Sequence, residues 1–93
     1  MPRQYERAYE VIKTEDYIRQ FNEIHQRYPK AIELNNAIVW ALERYPQGFE
    51  NIMQDFYHWI TEELSSPGFP VVKILFRVFA DKKVVVLLSM QEL

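Results

Sequence analysis

The side chains best suited to binding chemistry are basic and stand in the last third of the chain. Residues 67–93 carry a formal charge of +2, whereas residues 49–66 carry −4 and the whole chain −2. Guanidinium and ammonium groups bind phosphates and carboxylates. The pattern has two interpretations: a positive patch on the last two strands, or solvated faces that bind no ligand. The basic residues concerned are Lys73, Arg77, Lys82 and Lys83.

Several kinds of site are excluded by composition. The 93 residues contain no cysteine, which rules out disulfides and thiolate metal sites, and two glycines cannot form a glycine-rich phosphate loop. His58 and Glu62 would make half of a metal site if their segment were helical, but no third ligand stands at a confirming spacing. We therefore expect no metal and no cofactor.

The chain has no segment of the kind that enters a membrane. No apolar run approaches the ~18 residues of a membrane span. The start, residues 1–7, is charged and is not followed by the apolar core of a signal peptide. We expect a cytoplasmic protein that does not contact a membrane.

The first half of the chain predicts a strand followed by two helices. Residues 9–14 favour a strand, and Thr14 can cap a helix whose apolar face includes Ile18, Phe21 and Ile24. A second amphipathic helix over residues 30–45 is closed by Pro46-Gln47-Gly48. Since the turn between them is short, the helices must pack as an antiparallel hairpin.

The second half predicts strands after one ambiguous stretch. For residues 49–64 we expect a short helical or irregular piece and then a strand from about Tyr57 to Glu63. Residues 71–79 and 84–90 are β-rich and are joined by a hairpin loop. Their period of two puts Lys73 and Arg77 on the face opposite the one that should carry the helices. Trp40 and Trp59 are expected in the core, since a small fold needs large side chains inside.

These elements define an α+β fold in which a helix hairpin packs on a small, mainly antiparallel sheet, in the order β-α-α-β-β-β. We expect a single domain over residues 1–93, of which residues 1–8 could be flexible. The two apolar strands could aggregate if unpaired, which makes a homodimer or an obligate partner plausible.

The element order and certain segments together resemble the RelE/ParE superfamily of bacterial toxins. The segments are residues 9–14, the helices up to Tyr45-Pro46-Gln47-Gly48, and the strand hairpin of residues 72–78 and 83–88. RelE-like members are ribosome-dependent mRNA endoribonucleases, ParE-like members inhibit gyrase, and a cognate antitoxin holds both inactive. The resemblance implies that Arg77 is the catalytic arginine that stabilises phosphate charge, with Lys73, Lys82 and Lys83 as substrate-binding candidates.

Two departures from the family pattern predict a weakened or lost activity. Only Gln91-Glu92-Leu93 follows Met90, where RelE-like enzymes place a catalytic basic residue or tyrosine, and the net charge is not basic. The alternative is therefore a catalytically inactive protein-interaction module, in which Arg77 pairs with Glu62 or Glu63. A third alternative, an unrelated α+β domain, would be favoured by an edge position of the Arg77 strand or by helices on both sheet faces.

Overall fold

The structure, a computed structural model, describes residues 8–64 and 66–93. The predicted flexibility of residues 1–8 falls outside this part of the chain except at Ala8, whose N–H donates to the Glu43 carbonyl at 2.8 Å. The elements are β1 (Glu10–Lys13), α1 (Glu15–Arg27), α2 (Ala31–Arg44), β2 (Glu50–Met53), β3 (Phe56–Ile60), β4 (Val72–Phe79) and β5 (Val84–Glu92), with short 3-10 turns at Pro46–Gly48 and Thr61–Leu64.

The five strands form one sheet in the order β1-β5-β4-β3-β2. β1 runs parallel to β5, and every other pair is antiparallel. Every second residue of β4 is buried against the helices, so both helices cover one face of the sheet. The predicted fold class is confirmed. β4, which carries Arg77, is the central strand, and both helices lie on the same face of the sheet. The two observations that would favour an unrelated α+β domain are therefore not made.

The stretch before β4 differs from the prediction. Residues 50–53, expected to be helical or irregular, form β2, which pairs with β3 through a tight turn. A helix there would need a core for its apolar side chains, yet Ile52 and Met53 are 50% and 59% exposed. The strand expected from Tyr57 to Glu63 begins at Phe56 and ends at Ile60, where a 3-10 turn replaces it.

Helix α1 begins at the predicted cap but turns a different face to the core. Thr14 Oγ1 accepts from the Tyr17 N–H at 3.3 Å and donates to the Leu87 carbonyl at 2.9 Å, which ties the helix start to β5. Tyr17 is fully buried while Ile18, expected inside, is 44% exposed. Burial of Tyr17 is possible because its hydroxyl donates to Asn35 Oδ1 at 2.6 Å. No helix of the described residues is long and apolar enough to span a membrane.

The two tryptophans have different environments. Trp59 is 8% exposed, as expected, and lies in the core cluster. Trp40, expected inside, is 43% exposed. The Arg44 guanidinium carbon stands 4.3 Å from the centroid of its ring. A cation over an indole compensates part of the cost of this exposure.

The buried hydroxyl of Tyr17 gives a stability test of the fold. Tyr17→Phe leaves Asn35 Oδ1 without this donor in a dry environment, so we expect a loss of about 1–3 kcal/mol in the free energy of unfolding. Urea denaturation followed by circular dichroism measures it. Tyr45→Phe, at a 47% exposed position, is the control and should change little. Equal effects of the two substitutions would contradict this role of the hydroxyl.

Candidate functional site

The sheet face turned away from the helices is the open face. On β4 it consists of the half-buried side chains that alternate with the buried ones. Strand register adds Phe56, His58 and Ile60 of β3, opposite Arg77, Leu75 and Lys73 respectively. Val86 of β5 lies opposite Arg77 on the other side. Arg77 therefore stands near the centre of the open face, between two neighbouring strands.

Arg77 is held by a carboxylate and by two aromatic rings. Its Nε and Nη2 both donate to Asp55 Oδ2, at 3.1 and 2.7 Å. The guanidinium carbon lies 4.7 Å from the ring centroids of both Phe56 and Phe79. A guanidinium has five N–H groups, of which Asp55 receives two, so three remain for a ligand. The group is thus fixed in place, and its charge is partly compensated.

The partner of Arg77 is not the predicted Glu62 or Glu63. Ile60, the last residue of β3, pairs with Lys73, so Glu62 and Glu63 lie beyond that end of the ladder, away from Arg77. Sequence reasoning missed Asp55 because it assigned no turn between β2 and β3. The dipeptide Gln54-Asp55 between two short β-leaning runs was the available signal.

The β2–β3 turn positions Asp55. Gln54 has a φ of 48°, in the left-handed region that tight turns use, and the Asn51 side-chain amide donates to the Gln54 and Phe56 carbonyls, each at 3.0 Å. The Asp55 carbonyl accepts from the Val78 N–H at 2.9 Å, which fastens the turn to β4. The hydrogen bonds from Arg77 lower the pKa of Asp55 below its usual 3.8, so its carboxylate is charged at neutral pH.

A second side-chain pair, between a carboxylate and an imidazole, lies on the same face. Glu50 pairs with His58 across β2 and β3, and Glu50 Oε1 contacts His58 Nε2. His58 Nδ1 is buried without a hydrogen-bond partner in the described part of the chain. Because His58 stands opposite Leu75, it lies diagonally between Lys73 and Arg77, at about 7–8 Å from each by Cα position. His58 and Glu62 share no helix, so the half metal site considered above does not form.

The structure brings together only part of the predicted substrate-binding set. Lys73 shares the open face with Arg77, between Ile60 and Gln91 of the neighbouring strands. Lys82 and Lys83 lie in the exposed turn after β4, and Lys83 Nζ is 5.0 Å from the ring centroid of Tyr9. Glu10 lies opposite Val84 at the β1 edge. Within residues 8–64 and 66–93, the open face therefore carries Lys73 and Arg77 together with the carboxylates of Glu10, Glu50 and Asp55.

An apolar cleft lies at another place, where the end of α2 meets β3. It encloses about 440 Å³ and is lined mainly by aromatic side chains. Phe49 stacks on Trp59 with centroids 4.3 Å apart, and Trp59 Nε1 donates to Glu63. The lining aromatics are Trp40, Tyr45, Phe49 and Trp59. Trp40 and Tyr45 keep nearly half of their surface exposed, which is typical of a protein-binding site.

Comparison with known proteins finds similarity of structure only. No model of a protein family and no curated protein matches the chain. A chain of the toxin–antitoxin complex RelBE2 from Mycobacterium tuberculosis superposes with a TM-score of 0.72 at 14% identity, over 92% of this chain and 99% of that chain. The isolated E. coli toxin RelE superposes with a TM-score of 0.65 at 17% identity, over 91% of this chain and 84% of that chain. A chain of the intact E. coli RelBE complex superposes with a TM-score of 0.63 at 20% identity, over 92% of this chain and 98% of that chain.

The chain therefore has the fold of the RelE toxins. The resemblance that the sequence indicates is confirmed at the level of the fold. At identities of 14–20%, the similarity carries no residue roles with it. Function must be argued from the open face itself.

The Asp55–Arg77 pair makes stability depend on pH. Since the pKa of Asp55 is lower in the folded protein, its contribution is present above the unfolded-state pKa and is lost as pH falls through the lowered value. We expect wild type to melt at a higher temperature than Asp55→Asn at pH 7, and the difference to shrink below about pH 4. Thermal unfolding at several pH values measures it, with Asp81→Asn in the exposed β4–β5 turn as control. A difference that is constant down to about pH 2 would contradict it.

Proposed function

We propose that this chain, acting as one domain, is the toxin-side member of a type II toxin–antitoxin pair, held inactive by a cognate antitoxin. The single observation that carries the proposal is a RelE-like fold with Arg77 at the centre of the one sheet face left open by the helices. The similar structures include toxins in complex with an antitoxin, which supports a protein partner of that kind.

The proposed activity is ribosome-dependent cleavage of mRNA on the open face. When a 2′-hydroxyl attacks the neighbouring phosphorus, negative charge accumulates on the phosphate oxygens, and a fixed guanidinium stabilises it. Arg77 suits this role because Asp55 and two phenylalanine rings hold it while three N–H groups stay available. Lys73 is the candidate for a neighbouring phosphate, and Lys82 and Lys83 for RNA that extends past the β4–β5 turn.

The carboxylates around Arg77 support a weak activity. Asp55 partly compensates the guanidinium charge and repels a phosphate, since like charges oppose each other at short range. The same observation favours the second candidate, a protein-interaction module that has no activity of its own. Inhibition of gyrase is a further alternative, which the first experiment below also separates.

The arginine at the centre of the face is the first residue to test. Inducing the wild-type chain without its antitoxin should arrest growth of a bacterial host, and Arg77→Ala should relieve the arrest because the phosphate charge loses its stabilising group. Growth after induction, at matched levels of folded protein, measures the effect. Ribosome profiling then shows whether ribosomes pause at cut codons. Arrest with intact mRNA and damaged DNA would indicate gyrase as the target.

Arg19→Ala is the matched control. Arg19 lies on the exposed side of α1 and pairs with Asp16 and Glu23. It belongs to the helical layer, on the side of the sheet opposite the open face. It should leave the arrest unchanged. Arrest that persists in Arg77→Ala would remove Arg77 from the mechanism. Normal growth with folded wild-type protein would favour the inactive interaction module.

Asp55 provides an independent test of RNA contact. Asp55→Asn removes one negative charge beside Arg77, so single-stranded RNA should bind more tightly and with greater salt dependence. If Arg77 then contacts one more phosphate, the slope of log affinity against log salt steepens by about 0.7. Fluorescence anisotropy with a labelled oligonucleotide measures the slope, with Asp81→Asn as control for the change of net charge. Equal slopes for the two variants would count against phosphate binding at Arg77.

A further inference from the structure

The open face holds a titratable side chain that the proposed function has not used. His58 lies on β3 between Lys73 and Arg77, and its side chain is 18% exposed. Its Nδ1 is buried, so Nε2 is the ring nitrogen that can meet a ligand. In the structure Nε2 faces a carboxylate oxygen of Glu50, whose side chain is 74% exposed. An anion can therefore reach Nε2 from solvent by displacing this exposed carboxylate.

We propose that His58 is the proton-transfer residue of this face and that it gives a proton to the departing oxygen during RNA cleavage. The inference rests on the proposed function. RNA cleavage needs a proton-transfer group near the phosphate that Arg77 contacts. In the described part of the chain, His58 is the imidazole on the open face. His58 and Arg77 are diagonal neighbours on adjacent strands, a spacing at which an aromatic ring and a long side chain can contact one ligand.

The cleavage step balances with His58 as the acid. The ribose 2′-oxygen forms a bond to phosphorus, and the bond from phosphorus to the 5′-oxygen breaks. The 2′-hydroxyl proton passes to water, while the protonated ring of His58 gives its Nε2 proton to the 5′-oxygen. The neutral ring then regains a proton from hydronium. The products are a 2′,3′-cyclic phosphate and a 5′-hydroxyl end, and Arg77 stabilises the charge between them.

The charged groups around His58 are arranged for this role. Glu50 on β2 places a carboxylate oxygen in contact with Nε2. Lys73 and Arg77 on β4 lie on either side, and Asp55 in the β2–β3 turn compensates Arg77, the nearer of the two to that turn. When a phosphate displaces Glu50, it takes over the same position as the anion at Nε2.

The test uses the full chain on translating ribosomes in a reconstituted system, with cleavage of mRNA as the readout. His58→Ala should lower the cleavage rate about 100-fold or more, the usual effect of losing a general acid. Added imidazole should restore part of the rate. A general acid must be protonated to act, so the wild-type rate should decline at rising pH, and the rate of His58→Ala without imidazole should lack that decline.

His25→Ala is the matched control. His25 lies on α1, on the other side of the sheet, where its ring stacks on Phe21 at 5.4 Å between centroids, and its loss should leave the rate unchanged. Thermal unfolding establishes that His58→Ala is folded. A rate for His58→Ala within about threefold of wild type, or a pH profile that the substitution leaves unchanged, overturns the inference.

The same experiment distinguishes failure of the role of His58 from failure of the proposed function. If the wild type cleaves and Arg77→Ala does not, while His58→Ala cleaves normally, the proposed function stands and the role of His58 is wrong. If the folded wild-type protein cleaves no mRNA on ribosomes, both fail together.

Discussion

The pairing of β4 with a strand on each side is the constraint on which the site depends. Four side chains of β4, Val72, Ile74, Phe76 and Val78, are almost completely buried under the helices. Because side chains alternate along a strand, this burial forces Lys73 and Arg77 onto the open face. A slip of one residue would bury both cations and expose four large apolar groups, so the hydrophobic core fixes the register and with it the position of the arginine.

On the open face, Arg77 and His58 each contact a carboxylate. Arg77 is paired with Asp55, and His58 with Glu50, and both acids come from the β2–β3 hairpin. Such pairing holds Arg77 and His58 in defined positions and lowers the net charge of the face. It also shows how a chain of net charge −2 holds an ordered arginine on this face. An incoming anion must compete with groups that are already in place.

The fold says less about function than the side chains of the open face do. Superposition on RelE structures extends over more than nine-tenths of the chain at identities of 14–20%. A core of this size tolerates extensive replacement of apolar residues as long as volume and patterning are kept. The open face does not tolerate replacement of its functional side chains in this way, because proton transfer or phosphate binding requires a particular group at a particular distance. The similarity therefore supports a toxin-like architecture, and the residues of the open face determine which activity it can have.

The sequence by itself determined the helix hairpin, the β4–β5 hairpin and the side of the sheet on which Arg77 lies, since each follows from a local period or cap. It did not determine β2, the inward position of Tyr17 or the outward position of Trp40. These depend on contacts with residues distant in the chain: Tyr17 is buried because Asn35 accepts its hydroxyl. The Asp55–Arg77 pair and the place of His58 between Lys73 and Arg77 were decided by the tertiary structure alone. Asp55 and Arg77 are 22 residues apart in the chain and meet only when β3 pairs with β4. No local pattern in the sequence specifies that pairing.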